Sequence, residues 1–138
     1  MNTYTVESQQ TVLVEGLTGP DGATQMQITT GYAQLNVSGA PSGIAQDYSG
    51  LIGPTLTAGQ FRRAIATAAP AGLSVQQLPG VVGPGGLNAS WAVNSVEADW
   101  DDESGQIELR FETTTSADPA SAVSVERISF QVLIFTAP

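Results

Sequence analysis

The sequence predicts a mainly β domain: an antiparallel β-sandwich or jelly-roll-like fold with one short inserted helix at about residues 58–68. Three observations carry that prediction. Apolar and polar residues alternate over much of the first 38 and the last 50 residues, the period-two signature of half-buried strands. Between them the alternation lapses, in a stretch holding most of the fifteen glycines and five of the eight prolines. At 138 residues the chain fits one domain, long enough to bury about two-thirds of its unfolded surface.

The first stretch, 1–38, is strand-rich. Thr11-Val12-Leu13-Val14-Glu15 leads into Gly16-Leu17-Thr18-Gly19-Pro20-Asp21-Gly22, whose glycines supply the positive φ of a turn. Met26, Ile28, Thr30 and Tyr32 then carry the apolar, core-facing side of a half-buried sheet, alternating with Gln25, Gln27 and Thr29. Leu35 and Val37 continue in the opposite phase, so a bulge is expected near Gly31 in one long bent strand.

The middle, 39–88, is a Gly/Pro-rich excursion. Thr57-Ala58-Gly59-Gln60 fits the capping box that opens helices, and Phe61, Ala64, Ile65 and Ala68 fall on one helical face before Pro70. The expectation is a helix of about three turns with Phe61 and Ile65 packed inward. The glycine-rich run 80–86 lacks the Gly-Lys-Ser/Thr of a phosphate loop.

The last stretch, 89–137, reads as a three-stranded antiparallel meander. Core must face core, so Val96, Ala98 and Trp100 share a face with Phe111, Leu109 and Ile107. Trp100 then pairs with Ile107 around the loop Asp102-Glu103-Ser104-Gly105. That register sets Glu97 opposite Arg110 and Asp99 opposite Glu108. The same rule applied to the third strand pairs Phe111 with Ile128 and Glu112 with Arg127. Two structural salt bridges are therefore expected, Glu97–Arg110 and Glu112–Arg127. Val132-Leu133-Ile134-Phe135 is apolar on both faces and should be covered on both sides.

The residue inventory excludes much chemistry. There is no cysteine, no histidine and no lysine; the basic residues are Arg62, Arg63, Arg110 and Arg127. Disulfides, thiolate zinc sites, cysteine nucleophiles, imidazole bases and Schiff bases all drop out. No catalytic residue and no cofactor are expected, and the chain is read as not an enzyme. A net charge of −9 argues against nucleic acid and anionic membranes as partners. Only 12% of residues are charged, against about 25% in ordinary domains; 14 Thr, 12 Ser, 11 Gln and 4 Asn take their place. Low charge suits a surface that faces other subunits.

Three groups of candidate residues follow. Asp99, Asp101 and Glu108, in the acidic cluster, form a weak candidate calcium site without the spacing of an EF-hand. Trp91 and Tyr48 are candidate platforms for a sugar. Phe61, Arg62 and Arg63 on the expected helix, with Tyr48, are interface candidates.

The leading expectation is a non-enzymatic structural protein. It would be a subunit of a symmetric homo-oligomeric particle, such as a phage-like capsid decoration, tail or fibre component. Its partners would be itself, a trimer being one allowed symmetry, and other structural proteins. The alternative is a lectin- or adhesin-like carbohydrate-binding module. The N-terminus shows no signal peptide, which predicts cytoplasmic assembly and residence in a virion or released particle.

Overall fold

A computed structural model describes residues 2–37, 42–77, 89–118 and 121–138. The glycine-rich run 80–86 lies outside the described residues, as does part of the 117–122 loop. Eight strands follow in chain order: β1 Asn2–Thr3, β2 Thr5–Glu15, β3 Gln25–Val37, β4 Ala45–Ile52, β5 Phe61–Gln77, β6 Ala89–Trp100, β7 Ile107–Ala117 and β8 Ser121–Thr136. They form two four-stranded sheets. Sheet A has the order β1-β4-β7-β6 and sheet B the order β2-β3-β8-β5. The fold is a mainly β sandwich, as the alternation predicts. Among the described residues all strand pairs are antiparallel except the short β1–β4 pair, and an isolated parallel bridge joins Ser42 to Thr115.

The β3–β4 arm pairs with the β8–β7 arm, β3 on β8 in one sheet and β4 on β7 in the other. This is a long hairpin rolled across both sheets. Its inner faces make the core. Ile107, Leu109 and Phe111 of β7 pack against Ile128, Phe130, Val132 and Ile134 of β8, all buried. Tyr4, between β1 and β2, stacks on Phe111 at 5.1 Å and donates its hydroxyl to the Leu109 carbonyl at 2.7 Å. Gly50 leaves room for that ring, since a Cβ there would overlap it.

Three expectations are corrected. There is no helix at 58–68. The capping-box contact does form, Gln60 Oε1 accepting from Thr57 N at 2.9 Å, but it closes a single turn at 58–60. From Phe61 the chain enters β5, pairing with β8 all the way to Gln77. Ala64, Ala66 and Ala68 then line the core side in strand period, while Arg63, Ile65 and Thr67 face out. Long-range pairing outweighs the helix preference of alanine. Pro70, the expected helix stop, sits at a register irregularity of this edge strand, where a proline is tolerated.

The meander stops at two strands. β6 and β7 pair in the predicted register, with Trp100 opposite Ile107, Glu97 opposite Arg110 and Asp99 opposite Glu108. The bulge falls between Val93 and Ser95. β8 instead crosses to sheet B, between β3 and β5. Phe111 therefore pairs with Tyr48 and Val96, not Ile128, and Arg127 lies beside Gln34 and Gly72.

The third correction concerns β3. The row Met26, Ile28, Thr30, Tyr32 faces away from the core, and Thr29, Ala33 and Leu35 face in. No phase slip occurs at Gly31. The bulge there belongs to β2, between Glu7 and Gln10 with Ser8 at φ 53, and a Cβ on Gly31 would press on Phe130 and Gln9. The irregularity of β3 itself lies later, at Asn36 (φ 50), between Gln34 and Val37.

Candidate interaction surfaces

The two outer faces of the sandwich differ in chemistry. On sheet A the outward positions of β7 are Glu108, Arg110 and Glu112. Their neighbours are Glu97 and Asp99 on β6, and Asp47, Ser49 and Leu51 on β4. With Asp101, Asp102 and Glu103 at the hairpin tip, eight of the thirteen acids lie on this side, with Arg110 alone as counter-charge.

Four of these acids accept hydrogen bonds within the sheet and its tip. Arg110 Nε donates to Glu108 Oε1 at 2.6 Å, so its ion pair is with Glu108 and not with the cross-strand Glu97. The Glu108 hydrogen bond, then its charge, holds the Arg110 guanidinium above its usual pKa, with Glu97 and Asp99 adding to it. Glu112 accepts from Asn94 Nδ2 at 3.1 Å. Asp101 Oδ2 accepts from Ser104 Oγ at 2.6 Å and Ser104 N at 2.9 Å, bonds that pull its carboxyl below the usual range. Asp99 Oδ1 accepts from the Trp100 amide at 2.8 Å. The candidate calcium ligands Asp99, Asp101 and Glu108 thus serve a strand end, a turn and an arginine. Among the described residues no three carboxylates converge as metal ligands.

The sugar-platform candidates are not platforms. Tyr48 is 2% exposed and stacks on Phe111 at 5.6 Å, and burial raises its phenol pKa. The same burial removes it from the interface candidates. Trp91 packs against the core from the inner face of β6. Trp100 also points inward, its Nε1 donating to the carbonyls of Leu56 and Gly105 at 3.1 and 3.2 Å.

Sheet B presents another surface. Register carries the outward row of β3 across all four strands. Val12 of β2 lies beside Ile28, then Leu133 of β8, then Ile65 of β5. This aliphatic row crosses the whole sheet, with Val12 59% and Ile65 43% exposed at its ends. The row above it is Val14, Met26, Phe135 and Arg63. The loop 16–24 leans on part of that row, Gly19 lying against Leu17, Ala23 and Phe135. Below come Gln10, Thr30, Gln131 and Thr67, neutral and polar. Further down, Arg127 meets Glu7 Oε1 at 3.5 Å and lies over the Tyr32 ring at 5.1 Å. Arg127 therefore pairs with Glu7 rather than with Glu112.

Of the interface candidates from the expected helix, Arg63 stands on this outer face beside Phe135, and Arg62 donates to the carbonyls of Gly59 and Phe61. Phe61 packs against the core. The residues that sequence reasoning missed are Val12, Ile28, Ile65 and Leu133. Their signal was present in the two-faced apolar end of β8 and in the Met26–Tyr32 row, which alternation alone assigns to a core.

No family model, no curated protein and no solved structure matches the chain. Four strands about 4.8 Å apart and about eleven residues long present roughly 700 Å² of sheet plane. A standard protein interface takes about 800 Å² from each partner. The plane of sheet B is close to that size, part of it lies under the loop 16–24, and its aliphatic row is flanked by Arg63 on one side and by a neutral polar row on the other.

Proposed function

We propose that the chain is a non-enzymatic structural protein that works by homo-oligomeric association, its copies meeting through the outer face of sheet B. A symmetric particle, such as a capsid decoration, tail or fibre, is the class of assembly this suits. The observation that carries the reading is the unbroken row Val12–Ile28–Leu133–Ile65 on an outward face. Exposed aliphatic surface of this continuity costs solubility in a monomer, and covering it removes that cost. The low total charge and the concentration of acids on the opposite face support the same reading, because copies meeting through sheet B keep their acidic faces apart.

The carbohydrate alternative loses its support with Tyr48 and Trp91 turned into the core. A matched pair of substitutions tests the assembly reading. Ile65 on sheet B and Leu51 on sheet A are both 43% exposed and stand on opposite outer faces. Sedimentation velocity at micromolar concentration should show the natural chain and Leu51→Asp associated to the same extent, and Ile65→Asp associated to a lesser extent with its near-ultraviolet dichroism unchanged. A natural chain that sediments as a monomer across that range overturns the proposal.

A further inference from the structure

The four sheet edges are not alike. β1, at one edge of sheet A, is two residues long. β6 and β5, edges of opposite sheets, run beside each other along a groove lined by Ala64, Ala66, Val96 and Ala98, so each has a neighbouring strand. β2 is different. It has eleven residues, and among the described residues its only strand partner is β3.

Proteins usually blunt such an edge with lysine, proline, an inward charge or a bulge. β2 carries a bulge at Ser8, which breaks its first half. From Gln10 to Val14 there is no bulge, no charge and no proline. Here Val12 is 59% and Leu13 51% exposed, although they point to opposite faces of the sheet. Consecutive exposed aliphatic residues on an unblunted edge mean that, among the described residues, neither face of that edge is covered.

We propose that this edge pairs with the β2 edge of a second copy, antiparallel about a two-fold axis, joining two B sheets into one of eight strands. The proposal rests on the homo-oligomeric reading above and adds a specific contact to it. The occupant is a second copy because the segment is self-complementary. Keeping both outward rows on one face requires an even pairing sum, so the axis passes through a residue and not between two. Centring on Thr11 would set Glu7 against Glu15 and run into the bulge. Centring on Val12 uses the clean stretch: Val12 meets Val12 of the second copy, Gln10 meets Val14, and Thr11 meets Leu13. No acid faces an acid. The aliphatic row of one copy then continues into that of the other, from Ile65 through Val12 and back out to the second Ile65. The acid-rich sheet A takes no part, so a chain of net charge −9 can approach its copy here.

The natural chain has no cysteine, so a single introduced thiol reports only contacts between copies. Val12→Cys, Leu133→Cys and Leu51→Cys would each be oxidised at micromolar concentration, and disulfide dimers followed on non-reducing gels. Paired strands hold opposite Cβ atoms about 5 Å apart, near disulfide reach, so Val12→Cys should cross-link on the order of tenfold or more faster than Leu51→Cys. Fast cross-linking of Leu133→Cys, with Val12→Cys no faster than Leu51→Cys, overturns edge pairing and leaves assembly through the sheet face standing. A natural chain that is monomeric, with no fast disulfide at any site, overturns both. Hydrogen exchange on the natural chain gives a second reading, independent of whether the variants fold. The amides of 10–14 that do not bond to β3 should gain protection as concentration rises. Exchange that is independent of concentration in a chain that sediments as an oligomer overturns the edge contact alone.

Discussion

Leu133 and Ile134 are neighbours on β8, yet they belong to surfaces with opposite demands. Ile134 is fully buried between the sheets, against the interior that β7 closes. Leu133 stands on the outside, in a row with Val12, Ile28 and Ile65. On sheet A the alternation is of the ordinary kind, Ile107, Leu109 and Phe111 inward against Glu108, Arg110 and Glu112 outward. Sheet B lacks that contrast. Its inward and outward rows are both apolar at the β8 end, so the side facing water resembles a second, uncovered core. The fold buries one face of β8, and the described residues leave much of the other open to water.

The largest test of this contrast compares the two neighbours. Ile134→Ala should cost about 2–5 kcal/mol of unfolding free energy, the range for emptying a close-packed site. Leu133→Ala, measured at a protein concentration where the chain sediments as a monomer so that association does not contribute, should cost less than about 1 kcal/mol. Urea denaturation gives both numbers, and equal losses would mean that Leu133 is already covered within one chain.

A smaller effect concerns how the two sheets are tied at the N-terminus. Tyr4 lies where β1 of sheet A becomes β2 of sheet B, so its ring fastens the start of the free edge to the core. Its phenol pKa is pushed well above the usual value near 10, first by burial and then by the charge of Glu108. The raised value means that the folded chain resists losing this proton while the unfolded chain gives it up. The stabilisation is complete below about pH 10 and lost as pH rises above it. Tyr4→Phe should cost about 1 kcal/mol at neutral pH, the worth of the bond to the Leu109 carbonyl. The variant should also lose less stability than the natural chain between neutral pH and pH 11. Parallel pH profiles for the two proteins would detach Tyr4 from that loss.

Legibility in the sequence followed the number of partners that each rule left open. The β6–β7 register was readable because a four-residue loop leaves one neighbour, and hydrophobic phase then leaves one alignment. Phase says which side of β8 faces a core but not which strand lies beside it, and the pairing of Phe111 with Ile128 failed on that point. Thr57 and Gln60 make the contact that a capping box predicts, yet one segment carries both periods: Phe61, Ala64, Ile65 and Ala68 fit a helix face, and Ala64, Ala66 and Ala68 fit a strand face. Only the length of β8 decides between them. The outward row of β3 was read as core for a deeper reason. Sequence alternation reports that one face is more apolar than the other, and it does not say which of the two faces the second sheet covers.

The smallest effect lies at the acidic tip of sheet A, where it separates a bonded turn from a loose patch of charge. Asp101 accepts two bonds from Ser104, Gly105 N donates back to the Asp101 carbonyl at 2.8 Å, and Gly105 holds φ at 73. The Leu56 amide donates to Gly105 O at 2.7 Å, docking the loop that leads to β5. The tip is therefore part of the frame that positions the start of β5. The depressed pKa of Asp101 comes chiefly from the Ser104 hydroxyl, with the Ser104 amide next. A carboxyl held low contributes its stabilisation above the pKa of the unfolded chain and loses it as pH falls through the folded value. Ser104→Ala removes the larger cause and leaves the amide. Carboxyl NMR titration should then show the Asp101 midpoint move up toward the ordinary range, with the other carboxyls of sheet A unmoved. A midpoint that stays in place would mean that the carboxylate is not held by this turn.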